Sequence, residues 1–271
     1  MISYIGGKKL HSKWIVPQLP KSCQTYVEVF GGAFWIHFMS NIQSEKVVYN
    51  DINPQLANLF SCVSNDSIKM LDHCLQYDPQ DAKLFESFRD DLFSKGQLIV
   101  PNMPDYDQAS KFVYCQTQVF SGNTFSDRTK MTDLKGKYKS KYEHFIDKLR
   151  NSHYVKKMND ITNVENRAFE DIINIYDSKD TFFYIDPPYY GLESYYTHSE
   201  CNHSVLLNQL KGIRGKFALS YYNFPELENI LSKDKYNWIY KKVNKQNGNR
   251  KKINSSKGTE LLITNYKVGL F

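Results

Sequence analysis

The sequence predicts an α/β domain built on a largely parallel sheet and interrupted by one long helical insertion. Three observations carry that expectation. Short apolar runs end repeatedly in a polar or glycine-containing turn, and helix-like segments separate or follow them. Between the second run, ending at Asp51, and the third, starting at Thr181, lie about 130 residues, too many for one crossover connection. The hydrophobic fraction of 41% over 271 residues is ample for a packed core, so a disordered chain is not the default.

In chain order, "TYVEVFGG" (25–32) reads as a strand entering a tight glycine turn, with "AFWIHFMSNI" after it as a helix. "KVVYNDIN" (46–53) reads as a strand ending at Asp51, and "PQLANLFSCVS" as the helix that follows. The middle region holds helix-like pieces, "DAKLFESFRDDLF", "ASKFVYCQTQVF" and "YEHFIDKLRNS", and a basic, polar patch near 128–141. The sheet resumes at "TFFYIDPPYY" (181–190), followed by helical "SVLLNQLKGI" (204–213) and a further strand, "KFALSYYN" (216–223). "TELLITNY" (259–266) reads as a late strand in an antiparallel hairpin with "NWIYKKV" (237–243). The expected division is one unit of 1–60 plus 160–271 and an inserted, mainly helical unit of 61–159.

Composition narrows the chemistry. The chain carries 20 tyrosines, 17 phenylalanines and a formal charge of +6, compatible with a polyanionic partner without requiring one. Five cysteines (Cys23, Cys62, Cys74, Cys115, Cys201) are scattered with no CxxC pair and no zinc spacing. His11, His37, His73 and His144 have no companions at ligand spacing. These patterns predict free thiols in a reducing compartment and no metal. The N-terminus lacks the apolar core of a signal peptide, and no segment reaches the ~20 apolar residues of a membrane span. The expectation is a soluble cytoplasmic protein without membrane contact.

In open α/β sheets ligands bind beyond the carboxyl ends of the strands, where these turns gather. Gly31-Gly32 followed about 20 residues later by Asp51 suits a carboxylate that bonds ribose hydroxyls. The plainer alternative is a turn followed by a helix-capping acid. A dinucleotide site would need GxGxxG, but the run here is "FGGAFW", and GxxxxGK[ST] is also missing. A ribose-binding turn without a phosphate cradle points to a nucleoside cofactor lacking phosphates, with S-adenosylmethionine the obvious candidate. At the third strand end, two prolines stiffen the turn, and the first forces Asp186 out of the helical region. Such a turn can hold the Asp186 carboxylate and a backbone carbonyl as two fixed acceptors, a match for an exocyclic amine with two N–H donors. Tyr189 beside them offers a face for a base to stack on. The alternative is a rigid loop with a helix-capping acid.

At this point the residues resemble a known family. "DPPY" (186–189), "FGG" (30–32) and the acid of "NDIN" at Asp51 resemble the signature of DNA adenine methyltransferases. Their order, with FGG far upstream of DPPY, is similar to the Dam-type (α-group, D12 class) branch of bacteria and phages. "YIGGKK" (4–9) resembles that family's N-terminal cofactor motif, and "GTELLITNY" its closing strand. The resemblance implies a Rossmann-like S-adenosylmethionine-dependent methyltransferase sheet, with 61–159 as the target-recognition subdomain. It implies a cofactor pocket of Tyr4, Gly6, Gly7 and Lys8, a first-strand wall of Glu28, Phe30, Gly31 and Gly32, Asp51 on the ribose or adenine side, and Ile52 packed on the adenine. Phe169 in "RAFED" (167–171) falls where the family places another cofactor contact. Asp186, Pro187, Pro188 and Tyr189 would hold a flipped adenine, Asp186 lying near the cofactor as well. One departure is the turn "FGGAF", where many relatives add a further glycine or small residue.

The implied activity is methylation of adenine N6 in a specific duplex DNA sequence, in restriction-modification or phage protection, with no metal; nothing in the pattern calls for more than a monomer. The alternatives are the same chemistry on cytosine or RNA, or a non-catalytic nucleic-acid-binding protein on this fold. Two basic runs are candidate phosphate surfaces: ten Lys/Arg against three acids over 128–157, and seven against none over 241–257. Candidate DNA contacts are Asn123, Arg128 and Lys130 near "QVFSGNTFSDR" (118–128), and Lys245, Arg250 and Lys251 in the second run. Either run could equally be a solvated face.

Overall fold

The computed structural model describes residues 2, 4, 6–79, 81–94, 104–119, 127–132, 140–191, 201–242 and 259–269. Its first part runs α1 (Ser12–Ile15), β1 (Thr25–Glu28), α2 (Trp35–Met39), β2 (Lys46–Asn50) and α3 (Pro54–Asn65). Five helices follow: α4 (Ser67–Cys74), α5 (Ala82–Ser94), α6 (Tyr106–Thr117), α7 (Lys141–Arg150) and α8 (Ser152–Asn159). The chain then returns through β3 (Asn163–Glu165), α9 (Phe169–Tyr176), β4 (Thr181–Ile185), α10 (His203–Gly212), β5 (Lys216–Tyr221), α11 (Leu227–Ile230), β6 (Asn237–Lys242) and β7 (Thr259–Thr264).

The strands form one sheet of order β3-β2-β1-β4-β5-β7-β6. The first five are parallel, and β7 runs antiparallel between β5 and β6. This is the α/β architecture with a largely parallel sheet that strand–helix alternation predicted, Rossmann-like as the resemblance implied, and the late hairpin pairs from Asn237↔Thr264 to Lys242↔Thr259. Strand β1 pairs with β2 on one side and β4 on the other, so the chain winds away from it in both directions. That reversal opens a crevice beyond the carboxyl ends of β1 and β4.

Both faces of the sheet are covered, as a parallel sheet requires. Because successive side chains alternate, the two faces differ in chemistry. Tyr26, Tyr49, Phe182 and Tyr184 point to one side, where Leu56 and Phe60 of α3, Phe85 of α5, Phe112 of α6 and Tyr142 and Phe145 of α7 complete the core. Val27, Val48, Phe183, Ile185 and Leu219 point to the other and meet Ile172 and Ile173 of α9 and Leu206, Leu207 and Leu210 of α10. The helices of the long interval therefore share a core with the aromatic face of the sheet.

Element ends differ from the sequence reading where local geometry intervenes. The helix expected over "AFWIHFMSNI" is only Trp35–Met39, because Phe34 takes a left-handed φ of 57° before it and Ser40 is extended after it. Strand β3 was not anticipated: its three residues form no apolar run and are only half-buried. Backbone pairing to β2 holds it, with Thr162 N–H to the Val47 carbonyl at 2.9 Å preceding the ladder. Among the described residues, no helix is long and apolar enough to cross a membrane.

Candidate active site

The strand ends converge on an open cleft of about 1000 Å³, counted out to solvent. All the residues expected to hold a cofactor border it: Tyr4, Gly6, Gly7 and Lys8 from the N-terminal segment, Glu28, Phe30, Gly31 and Gly32 from β1 and its turn, Asp51 and Ile52 after β2, Phe169 at the start of α9, and Asp186 after β4. Pro188 also lines the cleft, whereas Pro187 is buried beneath the turn and Tyr189 stands half-buried off the lining.

The glycine turn is built by its neighbours. A Cβ on Gly31 would sit 2.3 Å from Tyr49 Cε2, so only glycine lets the chain pass the Tyr49 ring. The Tyr49 hydroxyl in turn donates to the Gly32 carbonyl at 2.9 Å, and Gly32 adopts a φ of +50°. Asp51 clamps the same turn: Oδ2 accepts from Gly32 N–H and Oδ1 from Asn53 N–H, each at 2.8 Å. Burial pushes its carboxyl up to about 6, against the pull of those two donors. Asp51 is not the helix cap of the plainer reading; Asn53 caps α3 by accepting from Gln55 N–H, with Pro54 at the first helical position. Each Asp51 oxygen retains a lone pair for a ligand hydroxyl.

Glu28 is buried at the end of β1, and its Oε1 accepts from the Tyr26 hydroxyl at 2.6 Å and His37 N–H at 2.7 Å. Desolvation outweighs those bonds and lifts its carboxyl to about 8, with the nearby Asp186 charge adding to the rise. On the other strand end, Asp186 Oδ1 lies 2.7 Å from Lys8 Nζ. Burial raises the Asp186 carboxyl to about 6, the Lys8 charge restraining the rise and Glu260 adding to it. Burial alone would lower the Lys8 ammonium, but Asp186, with Tyr184 and Glu260 beyond, holds it above its ordinary value. Lys8 also donates to the Gly6 carbonyl at 3.1 Å within its own segment, while its pairing with Asp186 ties that segment to the end of β4. Tyr4 anchors the other end of that segment, its hydroxyl accepting from Asn53 Nδ2 at 3.2 Å.

Several lining residues were missed. Asn50 Nδ2 donates to the Val29 and Arg167 carbonyls and its Oδ1 accepts from Arg167 N–H, so one buried amide ties the segment before α9 to two strand ends. That tie sets Phe169 against Phe30 with ring centroids 5.7 Å apart. The clue was present in "YNDIN", where a polar residue stands inside a buried strand. Cys201 lines the cleft as well, with its Sγ 4.0 Å from His203 Nδ1, a pairing that sequence separation did not flag as chemistry. All five cysteines are free, and the described residues contain no group of three or more His, Cys, Asp or Glu placed to hold a metal. Of the candidate DNA contacts, Arg128 and Lys130 are exposed and stand apart from the cleft lining. Asn123, Lys245, Arg250 and Lys251 lie outside the described residues.

A family model for D12 class N6 adenine-specific DNA methyltransferases matches residues 4–247. The chain belongs to that family. Membership brings the glycine turn, Asp51 and the Asp186–Tyr189 turn within one matched span, from the Tyr4 segment to beyond β6. The chain is similar to the modification methylase StsI of Streptococcus sanguinis, at 28% identity over 298 aligned positions covering 100% of this chain and 43% of that protein. It is also similar to the type II methyltransferase M.CviBI of Paramecium bursaria Chlorella virus NC1A, at 24% identity over 192 positions, 70% of this chain and 68% of that protein. The chain thus spans less than half the length of the first of these relatives and about two thirds of the second.

Proposed function

We propose that the protein transfers a methyl group from S-adenosylmethionine to N6 of adenine in a specific duplex DNA sequence, the target base flipping out to meet the Asp186–Tyr189 turn. The observation that carries this reading is the continuity of the cleft, in which the glycine turn and Asp51 share one wall with Asp186 and Pro188. The donor set fits this cofactor better than a phosphorylated one. Asp51 can accept from ribose hydroxyls, and Phe30, Ile52 and Phe169 border an apolar slot for a base. Lys8, the cation at the centre, is already committed to Asp186 rather than to a phosphate.

When bound, the cofactor supplies an electrophilic methyl group on sulfur. The chain's own residues prepare the nucleophile. The adenine amine is weakly nucleophilic because its lone pair is delocalised into the ring. Asp186 and the Pro187 carbonyl accept its two N–H bonds, favouring a pyramidal nitrogen with a localised lone pair. Tyr189 supplies a face for the flipped base, and the stiff proline turn fixes the acceptors before the base arrives, so alignment costs little entropy. Residues 61–159 form the target-recognition part of this reading, and Arg128, Lys130 and the basic run over 241–257 contact phosphates.

The test is methyl transfer from labelled S-adenosylmethionine to unmethylated genomic DNA, followed by sequencing that maps modified bases, with Asp186→Ala alongside. Methyladenine confined to one short motif, and absent with the variant, is the expected result. Tight cofactor binding with no transfer to DNA would overturn it and direct the search to RNA.

A further inference from the structure

The tyrosine of the Asp186–Tyr189 turn is anchored from a distant part of the chain. Its hydroxyl donates to Glu260 Oε2 at 2.9 Å. Its ring stands 5.3 Å from both Tyr221 and Tyr222, tilted by 51° and 54°, with Lys8 Nζ 4.9 Å from its centroid. The backbone of the turn has a separate tie, since Tyr190 N–H donates to the Tyr221 hydroxyl at 3.2 Å and that hydroxyl lies 2.6 Å from His203 Nδ1. Tyr221 thus serves both ring and backbone, while Glu260 holds the ring's hydroxyl.

Glu260 is the second residue of β7, and the register Tyr221↔Leu261 sets it at the carboxyl-end rim of the sheet. A tyrosine at the mouth of a site loses rotamer freedom when it is fixed, and a fixed ring spares a stacking base that cost at the moment of binding. Tyr221, Tyr222 and Lys8 pack against the ring, and the hydroxyl adds a polar tie to Glu260, with the Ser220 hydroxyl also beside it. We propose that Glu260 is a positioning residue for base capture, holding the Tyr189 ring in the orientation that receives the target base. The proposal rests on the methyltransferase reading above and assigns within it a residue outside the DPPY turn and the cofactor cleft.

The experiment compares wild type with Glu260→Ala, Glu260→Gln, Tyr189→Phe and the Glu260→Ala/Tyr189→Phe pair, measuring kcat and KM separately for genomic DNA and for S-adenosylmethionine. The expected loss for Glu260→Ala is about tenfold or more in kcat/KM for DNA, with the cofactor KM within about twofold. Glu260→Gln, which keeps an acceptor in place, stays within about threefold of wild type, and in the Tyr189→Phe background the alanine change costs markedly less than it does in wild type, leaving only its charge effect on Lys8 and Asp186. A contact that only stabilised the fold would depress both substrates together. Should Glu260→Ala fail to fold, Tyr189→Phe removes the same bond from the other side. Crystal structures of the variants read the anchor without activity: the Tyr189 ring moves in Glu260→Ala and stays in Glu260→Gln. An unmoved ring in the alanine variant, or full additivity in the pair, overturns the proposal. A wild type inactive on DNA whose ring still moves on Glu260→Ala supports the anchor and sinks the methyltransferase reading instead.

Discussion

Asp186 and Glu28 are both carboxylates whose burial raises their proton affinity, and the two lead to different measurements. On the proposed reading, Asp186 accepts best from the target amine when it is ionised. Its carboxyl is pushed up to about 6, so activity is present above that pH and falls away as the pH drops through it. The pH profile of kcat/KM for DNA is therefore expected to show an acid limb near pH 6. Lys8 restrains the rise, so Lys8→Met should move the limb to higher pH; a limb that stays put would mean another group titrates. Glu28 speaks to stability. Its folded value is about 8 against an ordinary 4.5, so unfolding releases a proton between those values and wild-type stability falls as the pH rises through the window. Glu28→Gln keeps an oxygen for the Tyr26 hydroxyl and His37 N–H but cannot ionise. Denaturant unfolding should find it matching wild type near pH 4 and more stable at pH 8, the gap growing by up to ~1.4 kcal/mol per pH unit. An equal difference at both pH values would show that Glu28 does not titrate in the folded protein.

The turn after β1 depends on contacts that no local propensity encodes. Gly31 faces the Tyr49 ring from the neighbouring strand, so Gly31→Ala must displace that ring and with it the hydroxyl bond to the Gly32 carbonyl. Overpacking of this kind costs about 1–3 kcal/mol, and cofactor affinity should fall alongside stability. Calorimetric titration with S-adenosylmethionine and a thermal melt check this, and unchanged binding would separate the turn from the cofactor. The same contrast explains what the chain revealed in advance. Strands β1, β2, β4 and β5 were legible because each is a short, mainly apolar and β-branched or aromatic run that leads into a turn. The convergence of Gly31, Asp51 and Asp186 on one cleft was legible because their positions against the strand ends fix which rim they occupy, whereas Lys8 was placed there only by the family resemblance. Strand β3 was not, since it is held by backbone bonds to β2 and carries no periodic signal. Nor was the brace from Asn50 to Arg167, or the bond from Glu260 to Tyr189, because each joins residues far apart in sequence through a single polar contact.

A net charge of +6 is modest for a protein of this length, so its distribution decides how a polyanion is met. The run over 241–257 has seven basic residues and no acid, and it extends from the end of β6 at Lys242 toward the start of β7 at Thr259. Because β7 is antiparallel to β5, with Tyr221 paired to Leu261, both of those points lie at the rim that bears Asp186 and Tyr189. On the proposed reading, a basic run whose flanking residues lie at that rim is suited to the phosphates beside a target base. Phosphate neutralisation releases condensed counterions, so log K for duplex binding falls with log salt at about −0.9 per phosphate contact. If Lys245, Arg250 and Lys251 each meet a phosphate, replacing all three with alanine should reduce the slope by about 3. The loss should be the same for target-bearing and unrelated duplexes, because phosphate contacts position without reading bases. Fluorescence anisotropy across a salt series on both duplexes gives the slopes directly, and cofactor affinity measured in parallel should not change. A slope identical to wild type would make this run a solvated face and shift the phosphate contacts to the basic stretch over 128–157. The corresponding change of Arg128 and Lys130 to alanine would then be expected to lower the slope by about 2.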